Sequence, residues 1–284
     1  MKYGVTIFLT DQSIDPATFA REAEARGFDS MWLPEHTHIP ASRRTPWPGG
    51  PELPEWYRRT LDPFVALTAA AMVTERIKLG TGILLAAQRD PLVTAKSAAS
   101  LDRVSGGRLE LGIGYGWNEE EMADHGVDPK RRRTRTHEHV QAMTRLWGDE
   151  EASYDGKYVS FDAAWSWPKP EQTGEDGKRR VPLLLGSSPG PRAYAQVIDC
   201  YDGWMPLRNY GADDFAQLRR EWEDAGRDPK HLRIAPFGIA PKADKLDELA
   251  AMGVDEITLG APSAPADKVL PYLDKLAELI ASRR

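Results

Sequence analysis

The sequence predicts an α/β chain on three observations. Apolar, β-branched runs alternate with helix-spaced segments along its 284 residues, giving eight strand–helix repeats in order. The stretch Leu79–Trp117, LGTGILLAAQRDPLVTAKSAASLDRVSGGRLELGIGYGW, reads as strand, helix, strand, a parallel βαβ unit. The length exceeds the usual single-domain size, yet α/β barrels reach it as one domain. Together they point to a single (β/α)8 TIM barrel over residues 1–284, with its site at the C-terminal ends of the strands. A doubly wound dinucleotide fold is disfavoured, because no G-x-G-x-x-G follows the first strand.

Tyr3–Leu9 is the first expected strand, and Asp15-Pro16 opens a helix with an acidic cap and proline in its first turn. Phe19, Ala20, Ala23 and Phe28 form its apolar side, and Gly27 stops it. Ser30–Leu33 is the second strand, Pro63–Val73 a helix and Ile77–Ala86 the third strand. Pro91–Val104 carries helical spacing, Gly106-Gly107 ends it, and Arg108–Gly116 resumes as the fourth strand. Asn118 caps a further helix start with Glu121 three residues on. A helix over Pro129–Trp147 precedes a hairpin at Tyr154–Phe161, marked by Asp155-Gly156. The remaining strands are Val181–Gly186, Gly203–Leu207, Leu232–Ile239 and Glu256–Gly260, alternating with helices Pro191–Ile198, Asp213–Ala225, Asp244–Met252 and Ala266–Ala281. The insertions follow strands two and four: His36–Leu61 and Trp117–Arg180. Long insertions in a compact chain are commonly functional, and Trp47, Trp56 and Tyr57 make the first an ordered lid.

Composition narrows the function classes. A hydrophobic content of 41% supports a sizeable core, and a net charge of −6 gives no general affinity for polyanions. Cys200 is the single cysteine, so no intramolecular disulfide forms; it reads as a buried small residue and not a nucleophile. Met1-Lys2 runs directly into the first strand, and no apolar run approaches the roughly 18–20 residues needed to cross a bilayer. The expectation is a cytoplasmic enzyme acting on a small molecule, with no nucleic-acid or membrane partner.

Gly112, Gly114 and Gly116 fall on one face of the fourth strand, where side chains alternate, and would leave that face bare for a flat ring. His36 and His38 share a face if extended, which invites a metal reading. A metal-dependent hydrolase needs further ligands, and the fifth, sixth and eighth strand ends offer none, so no metal is expected. The remaining role for His36 is proton donor or acceptor, with Glu35 orienting it, bonding a cofactor or forming a rim ion pair. Gly186-Ser187-Ser188 before Pro189 and a helix is compatible with a phosphate cradle as well as with ordinary capping. Lys130–Arg135 is either a solvated face or a grip on an acidic cofactor tail, helped by Arg43, Arg44 or Arg89. His137 and His139 are two apart on a helix and do not face one another.

Extended through Glu121, the run from Leu79 resembles the luciferase-like monooxygenase superfamily, in its branch of deazaflavin (coenzyme F420) dependent oxidoreductases; SMWLPEHTHIP, VPLLLGSSP and DGWMP fit the same family. The resemblance covers most of Met1–Leu207 and implies a commonly dimeric barrel, here a homodimer. It implies a non-prolyl cis peptide at Gly82-Ile83 behind the ring, and Glu35-His36 as catalytic residues beside it. It assigns cofactor contacts to the fourth-strand tip, Gly114, Tyr115, Gly116, Trp117 and Asn118, and to the phosphate loop, Gly186, Ser187 and Ser188. Glu35 stands where many F420 enzymes carry Asp, and Trp117 where sugar-phosphate dehydrogenases carry an acid, which argues against a sugar-phosphate substrate. The expected reaction is hydride transfer between F420 and a small organic molecule. The alternatives are an FMN-dependent monooxygenase and, from other classes, a metal-dependent barrel hydrolase or a non-catalytic flavin-binding barrel.

Overall fold

A computed structural model describes residues 1–284. In chain order the elements are β1 (Lys2–Thr6), α1 (Pro16–Ala25), β2 (Ser30–Leu33), α2 (Pro63–Ala71), β3 (Lys78–Leu84), α3 (Pro91–Val104) and β4 (Leu109–Gly114). Then come α4 (Glu119–Asp124), α5 (Arg132–Gly148) and a hairpin of β5 (Ala152–Asp155) and β6 (Ser160–Ala164). The chain finishes with β7 (Leu183–Ser187), α6 (Pro191–Cys200), β8 (Gly203–Pro206), α7 (Ala212–Asp224), β9 (Arg233–Ile234), α8 (Ala243–Ala251), β10 (Glu256–Gly260) and α9 (Ala266–Ala281).

Eight parallel strands follow the order β10-β1-β2-β3-β4-β7-β8-β9, and a parallel bridge from Ile239 to Leu259 brings the last strand back to β10. This is the expected nearly closed α/β barrel. The first three helices share one start signal: Asp15, Asp62 and Asp90 each precede a proline. Each accepts a hydrogen bond from the amide three residues on, at 2.9, 3.0 and 2.9 Å. The proline's missing N–H costs nothing there, and such a cap contributes about 1 kcal/mol.

Several boundaries move. The helix expected from Pro129 begins at Arg132. The third strand ends at Leu84, and Ala86–Gln88 forms a 3₁₀ turn. The strand expected over Leu232–Ile239 is regular only at Arg233–Ile234; beyond it Ala235 and Phe237 still donate to the Trp204 and Pro206 carbonyls, Pro236 has no N–H but its carbonyl accepts the Thr258 amide, and Ile239 bridges to Leu259. The His36–Leu61 insertion has no regular structure beyond a 3₁₀ turn at Glu55–Arg59. No helix is long and apolar enough to cross a membrane.

The barrel interior is filled in layers. At its lower end Arg233 pairs with Glu110 at 2.8 Å and Glu256 at 3.1 Å. Above them Trp32, Leu184, Met205 and Ala235 form a buried plug. Trp32 donates its indole N–H to Glu256 at 3.0 Å, which joins the two layers. Ile83, Leu207 and Phe237 pack on the plug and line the cavity above.

The plug explains the glycines and corrects the bare-face expectation. A Cβ on Gly80 would lie 2.2 Å from the Trp32 ring, and one on Gly112 would meet the Thr81 carbonyl at 2.3 Å and Met205 at 3.1 Å. A Cβ on Gly114 would lie 1.7 Å from Cδ1 of Ile83. Gly112 and Gly114 are therefore filled against by the protein's own side chains. Gly116 lies beyond the strand with φ +72°.

Candidate functional site

The cavity at the C-terminal ends of the strands has a volume of about 720 Å³, within the usual range for small-molecule and cofactor pockets. One side is built from Tyr115, Gly116, Ser188, Arg132 and Arg133. Another is built from Phe8, His36 and the insertion residues Trp47 and Tyr57, with Arg208 from the loop after β8. Of the expected site residues, Glu35, His36, Gly82, Ile83, Tyr115, Gly116, Trp117 and Gly186 through Ser188 line this one cavity. Gly114 lies below it against Ile83. Asn118 is buried as the cap of α4, its side-chain oxygen accepting the Glu121 amide at 3.1 Å. Both drop out as cavity contacts.

Gly82–Ile83 is a cis peptide, and the β3–β4 register shifts between Thr81 and Leu84. The Ile83 side chain lies against Gly114 and Gly186 and makes an apolar shelf within the cavity. Glu35 holds the end of this segment. Its carboxylate accepts the Leu85 amide at 2.7 Å and the Arg89 guanidinium, which also reaches Asp62 at 2.6 Å. Burial pushes the Glu35 carboxyl above its ordinary range, opposed by Arg89 and the Leu85 amide. Glu35 therefore positions backbone and does not orient His36.

That role falls to Glu121. Its Oε2 lies 2.8 Å from Nδ1 of His36, and its Oε1 accepts the Thr37 amide at 3.1 Å. Both side chains are buried. The Trp117 indole donates to Nε2 of His36 at 3.3 Å. An indole N–H can only donate, so Nε2 is the acceptor and Nδ1 carries the proton shared with Glu121. The imidazole is thereby held in one tautomer, with its Nε2 edge at the cavity. Tyr57 packs beside it at a ring-centroid distance of 5.3 Å. The spacing of Asn118 and Glu121 marks only the helix start; nothing local shows that the Glu121 side chain turns to β2.

His38 does not converge with His36: its Nε2 faces Asp124 at 3.0 Å and its Nδ1 the Thr37 hydroxyl at 3.0 Å. Within Lys130–Arg135, Arg132 and Arg133 reach the cavity, and Arg133 lies 5.0 Å above the Tyr115 ring. Burial pushes the Tyr115 phenol up to about 12. Arg44 pairs with Glu120 at 3.3 Å, and Arg89 serves Glu35. Ser187 is buried, its hydroxyl accepting the Trp204 indole N–H at 3.1 Å, while Ser188 is exposed at the mouth. Burial pushes the Cys200 thiol far up, in line with an inert small residue.

Comparison with known proteins adds the following. The family model described as luciferase-like monooxygenase matches residues 14–276. An uncharacterized protein of Mycobacterium tuberculosis is 42% identical over 99% of both chains. A 5,10-methylenetetrahydromethanopterin reductase of Methanolobus tindarius is 28% identical over 92% of this chain and 73% of its own. Among solved structures, an F420-dependent secondary alcohol dehydrogenase in complex with an F420–acetone adduct superposes with a TM-score of 0.76 at 20% identity. It covers 100% of this chain and 99% of that one, a likeness of fold. The chain belongs to the luciferase-like monooxygenase family.

Proposed function

We propose that this protein is an oxidoreductase that transfers a hydride between coenzyme F420 and a small organic substrate, with His36 handling the coupled proton. The observation that carries the reading is the His36–Glu121 pair, tautomer-locked at the edge of a cavity that has an apolar shelf and a cationic wall. The donor set fits the cofactor: Ile83 would support a flat ring, Tyr115 would flank it, and Arg132, Arg133 and Ser188 would meet an anionic tail. F420, when bound, supplies or accepts the hydride, and the chain supplies orientation and electrostatics. Relatives support the same reading, since by their names one is a 5,10-methylenetetrahydromethanopterin reductase and the solved alcohol dehydrogenase is F420-dependent.

His36 is suited to move a proton at Nε2. Loss or gain of a proton there is balanced at Nδ1 by a carboxylate 2.8 Å away, which stabilises the imidazolium when it forms. The Trp117 N–H must give up its bond when Nε2 is protonated, so a substrate atom replaces it as the partner. The aromatic rings of Trp47, Tyr57 and Trp117 border the same cavity, Tyr57 packing edge-on against the other two.

Titration of the purified protein with F420 and with FMN tests the reading. F420 binding with weak or absent FMN binding is the expected result. Tight FMN binding without F420 affinity overturns it in favour of an FMN-dependent monooxygenase.

A further inference from the structure

The part of the cavity beneath the His36–Leu61 insertion is shaped for a ligand of its own. Tyr57 is at its centre, with ring centroids 4.6 Å from Phe8, 5.3 Å from His36, 5.6 Å from Trp47 and 6.2 Å from Trp117. These edge-on and tilted rings pack against one another and together line one wall of the cavity, so the slot for a planar apolar body is the space beside them.

Arg208 lines the same cavity from its exposed rim. It follows β8, and the next residue, Asn209, turns the chain with φ +51°, a conformation asparagine tolerates. Its Nη1 donates to the Pro48 carbonyl at 2.7 Å, tying the loop after β8 to the insertion. No carboxylate of the protein pairs with Arg208. The guanidinium lies near enough to Tyr57 to pull its phenol down, although burial keeps that phenol above its ordinary value and so protonated. The whole cavity is lined by three guanidinium groups, Arg132, Arg133 and Arg208, and by one carboxylate, Glu35, whose oxygens are already engaged. A cavity of that sign concentrates anions. Arg132 and Arg133 are adjacent in sequence, with Arg133 over the Tyr115 ring, and suit a multiply charged group; Arg208 is bonded only to the Pro48 carbonyl and lies near Tyr57, and its fork suits a single planar carboxylate bound through two donors.

We propose that the substrate is a planar aromatic or conjugated carboxylic acid, its ring in the Phe8–Trp47–Tyr57–Trp117 slot and its carboxylate on Arg208, which makes Arg208 the specificity-determining residue. This deepens the proposed oxidoreductase function and rests on the cavity being its substrate site. The arrangement puts the remainder of the molecule at the Nε2 edge of His36, where the reacting carbon and its oxygen or double bond would lie.

Calorimetric titration with naphthalene-2-carboxylate and its neutral amide tests the proposal without turnover, on the protein without added cofactor. Wild type is expected to bind the acid about tenfold or more tightly than the amide. Arg208→Gln should reduce acid binding to the level of the amide, and Arg208→Lys should keep part of the preference. Amide binding unchanged in Arg208→Gln shows that the slot survives the loss of the Pro48 contact. Equal binding of acid and amide by wild type overturns the proposal. So does a preference that persists in Arg208→Gln, or one that disappears instead in Arg132→Gln or Arg133→Gln. Acid preference in a protein that fails to bind F420 leaves the slot assignment standing and removes the cofactor reading; F420 binding without acid preference does the reverse.

Discussion

Glu121 holds Nδ1 of His36 at 2.8 Å across 85 positions of sequence, and the two side chains are buried together at the wall of the cavity. Replacing Glu121 by glutamine tests that relationship more sharply than removing it. The amide oxygen would stay on the Thr37 N–H, which turns the amide NH2 toward Nδ1. The imidazole proton would then move to Nε2 and leave the Trp117 N–H without an acceptor. Turnover of Glu121→Gln should fall on the order of 10²-fold, with cofactor affinity little changed, because the wrong tautomer faces the substrate. His36→Ala should cost about 10²–10⁴-fold. Steady-state kinetics read the rates, and the nitrogen shifts of His36 read the tautomer; an unchanged tautomer in Glu121→Gln would contradict the assignment.

Gly114 and Ile83 predict a coupled pair of substitutions. The new methyl of Gly114→Ala would lie 1.7 Å from Cδ1 and 2.9 Å from Cγ1 of Ile83, so Gly114→Ala should destabilise the fold by about 1–3 kcal/mol. Removing the obstacle with Ile83→Ala takes away the two nearest atoms and leaves the Ile83 Cβ at 3.3 Å. The glycine substitution should therefore cost less in that background, with a coupling of about 0.5–3 kcal/mol. Urea midpoints of the four proteins give the cycle, and strict additivity would refute the contact.

The barrel was legible because its strands and helices announce themselves locally, by apolar runs, by Asp-Pro starts such as Asp15-Pro16 and by glycine stops. The site was legible only where a motif is contiguous, as at Glu35-His36 and Gly186-Ser187-Ser188. The glycines of β4 stand out in the sequence, which does not say whether a ligand or a side chain fills the space they leave; Ile83 and Met205 do. Glu121 and Arg208 were missed for a related reason. Each sits next to an ordinary local signal, a helix cap and a loop; only the fold sets Glu121 opposite His36 and puts Arg208, with its proposed role, on the cavity wall. The residues of Leu232–Ile239 look like one strand by hydrophobicity, and the structure keeps only Arg233–Ile234 regular, with scattered backbone bonds on to Ile239 around a proline that offers no N–H.

The outer face of α2 and α3 carries a further prediction. Val65, Met72 and Val93 are 71%, 69% and 63% exposed, and Ala69 lies between the first two on the same side of α2. Apolar positions i, i+4 and i+7 facing solvent are an unfinished helical interface. We propose that a second copy of the chain covers this face through a twofold contact; the family resemblance implies a dimer, and the exposed apolar side chains suggest the face. Val65→Glu with Met72→Glu should convert a dimer into a folded monomer, seen by sedimentation and by an unchanged circular dichroism spectrum. A wild-type monomer at micromolar concentration would rule the interface out.

Glu35 supplies the pH dependence. Burial raises its folded-state value above the unfolded one near about 4.3, despite Arg89. The folded protein therefore binds this proton more tightly than the unfolded chain. The contribution of Glu35 to stability is fullest below pH of about 4.3, declines as pH rises toward the raised value and is level beyond it. Glu35→Gln has no such titration, can still accept the Leu85 amide and leaves Arg89 its bond to Asp62. Its stability relative to wild type should therefore improve as pH climbs through that window, measured by urea midpoints from pH 4 to 8. Glu35→Ala instead strands the Leu85 amide and removes a buried partner of Arg89, and should cost about 3 kcal/mol at neutral pH. A difference between Glu35→Gln and wild type that stays flat with pH would show that Arg89, not burial, sets the carboxyl's protonation.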